Sequence, residues 1–228
     1  WNELTGITAI DGVDDWYLPY SPRAGAVRNV YAPSSESRTL LASVEVGGLL
    51  RSHDGGESWT CEVVGVDTDI HHITGHPDDP DLLYASLGYA SLPRESRPAG
   101  ERPFGGIARS RDGGETWEKL ERDYTRATII PRNRPDMLLA GPAPRVGEQG
   151  RIIVSHDGGD TWQPASDGIE TPMPDMVELF VDAPDGSVWA ICSGGCLRRA
   201  EPDGWRWTPV FDASSGVDAL AVSFAPSS

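Results

Sequence analysis

A β-propeller of four-stranded antiparallel blades is the fold that three features of this 228-residue sequence predict. A nine-residue motif returns along the chain, and its spacing matches the length of one blade. Short aliphatic runs broken by proline and glycine turns lie between the copies. The 26 glycines and 19 prolines leave little room for long helices. A chain of this length buries most of its surface on folding, so it needs no metal or disulfide framework.

The motif reads Arg51-Ser-His-Asp-Gly-Gly-Glu-Ser-Trp59, then Arg109-Ser-Arg-Asp-Gly-Gly-Glu-Thr-Trp117, then Val154-Ser-His-Asp-Gly-Gly-Asp-Thr-Trp162. A worn copy, Arg199-Ala-Glu-Pro-Asp-Gly-Trp-Arg-Trp207, has Pro202 in place of the first aspartate. The closing tryptophans fall 58, 45 and 45 residues apart, and the longer interval predicts one loop insertion. Each copy is a turn with a mechanism. Asp54, Asp112 and Asp157 can accept hydrogen bonds from backbone N–H groups ahead of them. Gly56, Gly114 and Gly159 accept positive φ, and the hydroxyls of Ser52, Ser110 and Ser155 can close the loop. Trp59, Trp117 and Trp162 supply large apolar faces.

This Ser-x-Asp-x-Gly-x-Thr-Trp pattern resembles the Asp-box (bacterial neuraminidase repeat) family of β-propellers, which includes sialidase-like, sortilin-like and photosystem II assembly factor-like repeats. Four strands A to D are expected per blade. The A and B segments are 25–31 and 39–46, 69–75 and 82–87, 123–129 and 136–140, and 176–182 and 187–192. The expected blades run 25–64, 69–121, 123–166 and 176–211 within a single domain 1–228, with partial blades at 1–22 and 217–228. Missing N-terminal blades of a six- or seven-bladed ring are favoured over a five-bladed ring closed by the two partial blades.

Nineteen basic against 35 acidic residues give a formal charge of −16, which argues against nucleic acid and anionic membrane surfaces. No apolar run reaches the ~18 residues of a membrane span, and the compartment is not legible. Cys192 and Cys196 are expected to be reduced thiols beside a Ser-Gly-Gly turn, and Cys61 to be buried and inert. No Cys/His set has zinc spacing, so neither metal nor cofactor is expected.

Alternate turns of an antiparallel meander lie on opposite faces, so the boxes share one face with the A–B turns. The longer B–C and D–A connections, including 87–106 with Tyr89, 141–150, and 7–24 with Tyr20, form the other face and are expected to bind. Counting five residues back from Pro33, Pro77 and Pro131 places Arg28, His72 and Arg126 in a basic arc that could grip an anion or pair with local carboxylates such as Asp69, Asp123 or Glu45. The sialidase resemblance implies an arginine triad, a Tyr–Glu nucleophilic pair and an acidic catalyst. Arg28 and Arg126 could fill two triad positions, and Tyr20, Tyr89 and Glu45 the pair, but the Arg-Ile-Pro signature of that family does not occur. The favoured expectation is a non-catalytic scaffold for a protein, peptide or glycan, with a glycan hydrolase as the alternative.

Overall fold

The computed structural model describes residues 6–11, 13, 16, 26–34, 36–62, 69–88, 105–212, 222 and 224. These residues form four antiparallel four-stranded sheets, each in the order in which the chain makes its strands. Sheet one holds β1 (Val27–Tyr31), β2 (Leu40–Val44), β3 (Gly48–Ser52) and β4 (Thr60–Glu62). Sheet two holds β5 (Ile70–His76), β6 (Asp79–Leu87), β7 (Gly106–Ser110) and β8 (Glu118–Glu121). Sheet three holds β9 (Tyr124–Ile129), β10 (Leu138–Ala143), β11 (Ile153–Ser155) and β12 (Gln163–Pro164). Sheet four holds β13 (Val177–Asp182), β14 (Val188–Cys192), β15 (Cys196–Ala200) and β16 (Trp207–Asp212). The chain divides into two compact units, Trp1–Tyr124 and Thr125–Ser228. Among the described residues no helix is long and apolar enough to cross a membrane.

The middle strands explain why the aliphatic runs are nearly continuous rather than alternating. In β3 all five residues are buried, and in β2 all but the first. Leu41 and Leu49 join Ile70, Ile73, Leu83 and Trp117 in one cluster. Their neighbours Ala42, Val44 and Leu50 pack with Trp59, Ile7, Ile10 and Trp16 in another. Alternate residues of a strand leave on opposite faces, so both faces of this sheet are covered. The second unit has its own core around Leu139, Ile152, Val177, Phe180 and Trp207.

The three intact boxes are superimposable to a tenth of an ångström in their hydrogen bonds. In the first, Ser52 Oγ donates to Asp54 Oδ1 at 2.8 Å and accepts from the Gly56 N–H at 2.8 Å. Asp54 then accepts from the Ser58 N–H at 2.9 Å and the Ser58 hydroxyl at 2.6 Å. The Ser110–Asp112–Thr116 and Ser155–Asp157–Thr161 sets repeat this pattern. Gly56, Gly114 and Gly159 sit at φ of 94°, 94° and 100°, which a side chain would strain. For Asp112, burial raises the pKa but the Thr116 hydroxyl and N–H outweigh it and hold it at about 2. The Thr161 hydroxyl and N–H hold Asp157 at about 2 in the same way.

The first two boxes also bond to the chain near the start of the second strand of their own sheet, as the Gly55 N–H bonds to Arg38 O, just before β2, at 2.8 Å and the Gly113 N–H to Asp81 O, near the start of β6, at 2.9 Å. The worn copy has Ala200 and Pro202 where the serine and the first aspartate would stand. There Trp207 turns its Nε1 to Ala165 O at 2.8 Å and stacks on Trp205 at 6.3 Å.

The sequence boundaries shift in three places. Strand β2 stops at Val44 because Val46 takes a left-handed φ of 63°. The A–B turn of sheet two tightens to Pro77-Asp78, with the slack absorbed by a register shift between Gly75 and His76. Strand β10 runs through Ala143, three residues into the expected loop, and all six of its residues are buried. Cys61 is exposed rather than buried, because β4 is the edge strand of its sheet and has a neighbour on one side only. Cys192 and Cys196 are free thiols, as expected.

Trp117 is 9% exposed and donates its indole N–H to Gly114 O at 3.0 Å. Trp162 is half-buried and its Nε1 has no acceptor among the described residues. Trp117→Ala is expected to cost about 3–5 kcal/mol in denaturant unfolding, and Trp162→Ala clearly less. A Trp117→Ala loss below about 1 kcal/mol would contradict this packing.

Candidate functional site

Three first strands share one irregularity. Val27 pairs with Val44 and Asn29 with Ser43, so Arg28 is an extra residue in β1. Likewise His71 is extra between Ile70 and His72 in β5, and Glu178 between Val177 and Leu179 in β13. A β-bulge re-aims its extra side chain and reverses the facing of residues beyond it. The repeated bulge therefore singles out Arg28, His71 and Glu178, where proline counting singles out Arg28, His72 and Arg126.

In the first unit the bulges gather a buried polar network. Arg28 donates through Nε at 2.6 Å, and through Nη2, to Glu45 Oε2. Glu45 follows the last residue of β2, and its N–H bonds to Ala26 O at 2.9 Å. Asp69, which precedes β5, brings Oδ1 to 3.3 Å from His71 Nε2. Tyr124, the first residue of β9, sets its hydroxyl 2.9 Å from the same nitrogen, with the two rings edge to face at 5.3 Å. Glu45 is 1% exposed, Asp69 0% and His71 6%.

Glycine at position 88 makes room for this. A Cβ there would lie 2.1 Å from Asp69 Oδ2 and 2.7 Å from His71 Nε2. Val46 beside Glu45 is a β-branched residue in the left-handed region, a conformation worth roughly 1–3 kcal/mol of strain.

One atom each of Glu45, Asp69 and His71 lies within 4.8 Å of the others, a spacing that could accept a cation. Arg28 already neutralises Glu45, and Asp69 faces the imidazole. The network thus sets both buried carboxylates beside a basic or imidazole partner. Its outward group is Arg28, whose side chain is 44% exposed while its carboxylate partner is buried. Val27 and Val30, on the same strand, are 45% and 55% exposed.

His72 is half-buried opposite Ser86, and burial pushes its pKa down to about 4, so it is uncharged at neutral pH. In the second unit, Arg126 donates through Nη1 to both oxygens of Glu178 at 2.7 Å. Arg28 and Arg126 therefore each hold a carboxylate. Tyr20 and Tyr89 lie outside the described residues, as do most of the insertion 87–106 and the segment 217–224. Trp16, expected on a binding loop, packs against the Trp59 cluster. On the box side, a groove of about 440 Å³ opens between the A–B turns of sheets one and two, lined by Pro33, Glu36, Pro77, Asp78 and Pro80.

Asp69, His71 and Tyr124 were not legible as one group, since a bulge leaves no mark in a sequence. Removing Arg28 would strand the Glu45 carboxylate in a buried position. Arg28→Ala is expected to cost about 1–3 kcal/mol, and Glu45→Gln in that background to recover part of it. Chemical denaturation of the three variants checks this, and additive losses would show that the pair is not coupled.

Comparison with known proteins bears on this arrangement. The BNR/Asp-box repeat family matches at residues 108–119 and 153–164, which hold the second and third boxes. The photosystem II assembly lipoprotein Ycf48 of Synechococcus sp. (strain CC9902) is 25% identical over 158 residues, which is 69% of this chain and 41% of the relative. A solved structure of YCF48 bound to a D1 peptide aligns with a TM-score of 0.52 at 17% identity, over 85% of this chain and 59% of the other. The GH74 enzyme of Niastella koreensis aligns with a TM-score of 0.62 at 16% identity, over 82% of this chain and 30% of the other. The chain thus spans about two fifths of its Ycf48 relative. With three hydroxyl–aspartate hairpins on meandering four-stranded sheets and these likenesses, the chain carries BNR/Asp-box repeats at residues 108–119 and 153–164 and has the β-propeller fold.

Proposed function

We propose that this chain is a non-catalytic recognition scaffold that binds a protein or peptide on the face of its B–C and D–A connections. The observation that carries this reading is the anchored Arg28. Its fork is fixed on one side by a buried carboxylate, its other side is open, and exposed Val27 and Val30 flank it. A pre-oriented arginine beside apolar surface is the usual chemistry of an interface anchor, because little side-chain freedom is left to lose on binding. The sequence relative Ycf48, 25% identical over 158 residues, supports a peptide-type partner, since a YCF48 has been solved bound to a D1 peptide.

The hydrolase alternative has weaker support. A retaining glycosidase sets two carboxyl groups about 5–5.5 Å apart across an open cleft. Ligand atoms of Glu45 and Asp69 lie within 4.8 Å, but the two residues are 1% and 0% exposed and leave no room for a sugar between them. The two arginines that could grip a substrate carboxylate are bonded to Glu45 and Glu178. The likeness to GH74 enzymes, at 16% identity, speaks for fold alone.

A peptide array and a fluorogenic glycoside panel separate the two. Binding to a subset of peptides is expected, weakened at least tenfold by Val30→Asp with the melting temperature unchanged. Absence of peptide binding, or glycoside turnover that Arg126→Ala abolishes at unchanged melting temperature, would overturn the proposal.

A further inference from the structure

The hairpin joining β14 and β15 carries a second cluster, away from the Arg28 network. Ile191 pairs with Leu197, so the next residues out, Cys192 and Cys196, face each other at the mouth of the turn. Their exposures are 3% and 5%. Asp175, 21 residues before Cys196, brings Oδ2 to 3.7 Å from its Sγ. One ligand atom from each of Asp175, Cys192 and Cys196 lies within 4.8 Å of the other two.

We propose that Asp175, Cys192 and Cys196 form a binding site for a thiophilic divalent cation of the zinc class. A tetrahedral zinc ion takes sulfur at ~2.3 Å and oxygen at ~2.0 Å, which needs a sulfur–oxygen edge of roughly 3.5 Å. The observed 3.7 Å is close to that edge before any ion arrives.

The carboxylate is also held in place. The Gly194 N–H donates to Asp175 Oδ2 at 3.2 Å. A Cβ at Gly194 would lie 2.7 Å from that oxygen, so the glycine permits the approach. Asp175 is half-buried, which leaves an edge open for a water as fourth ligand.

Charge favours the same occupant. Arg198, next but one to Cys196 on β15, acts on both sulfurs, and its Nε is buried without a hydrogen-bond partner among the described residues. Two thiolates, one carboxylate, a divalent cation and one guanidinium sum to zero. On binding, each thiol releases its proton to solvent as its sulfur takes the metal, so two protons leave per ion and affinity rises with pH. The three residues between the cysteines fall within the common spacing of a zinc-binding cysteine pair; what the sequence lacks nearby is a third ligand, which the fold supplies from the connection before β13.

The test uses the full chain with Cys61→Ser, since that exposed thiol would compete, kept reduced by a phosphine. Titration with Co²⁺ is expected to give thiolate-to-metal charge-transfer absorption that saturates at one ion per chain, and Zn²⁺ should bleach it. Cys196→Ser should abolish the band. Asp175→Asn, which changes little in shape, should keep a band but weaken binding at least tenfold, and Gly194→Ala should weaken it roughly tenfold. Tryptophan fluorescence reports whether each variant is folded. No charge-transfer band in the folded reduced protein, or an equal band in folded Cys196→Ser, would overturn the proposal. So would a pair that closes only as a disulfide.

Discussion

The serine hydroxyl at the foot of each box is the contact on which the rest depends. It is 0–1% exposed in all three intact copies, and it bonds a carboxylate and a glycine N–H at once. A buried hydroxyl without partners would be costly, and here none of its capacity is wasted. The bond sets the turn, the turn sets the register of the third and fourth strands, and the tryptophan that ends the box falls against the sheet. Fixing those strands also fixes the two before them, because all four pair in chain order.

At the opposite end of the sheets the constraint is looser, and the chain uses the slack. A bulge at the start of three first strands sends Arg28, His71 and Glu178 off the regular alternation. In the first unit this buries two carboxylates beside an imidazole and a phenol, with one arginine reaching outward. The stiff end thus carries sameness from repeat to repeat, and the bulged end carries individuality. The proposed recognition face is the individual end, where the strand starts and B–C turns differ from sheet to sheet.

The repeat made the fold legible. Box residues are chosen by local bonding, so serine, aspartate, glycine and tryptophan at fixed offsets announce a turn and a strand without knowledge of the rest. Strand positions followed to within a few residues. The site was legible only in part. Arg28 and Arg126 were identifiable as basic groups on first strands, and Glu45 as one of three carboxylates that such groups could meet. His71 was missed in favour of His72, because counting from the turn proline assumes unbroken alternation. Tyr124, Asp69 and Gly88 meet through pairings between sheets, and Asp175 meets the cysteines through a connection no spacing rule describes.

Amide hydrogen exchange at Gly56, Gly114 and Gly159 tests the central role of the hydroxyl lock most directly. These three N–H groups bond to serine oxygens and to no ladder strand. If the lock holds the sheets together, they exchange only with global unfolding, at the same free energy as core amides of β3 and β7. Exchange of all three by local opening, well before those core amides, would contradict the account.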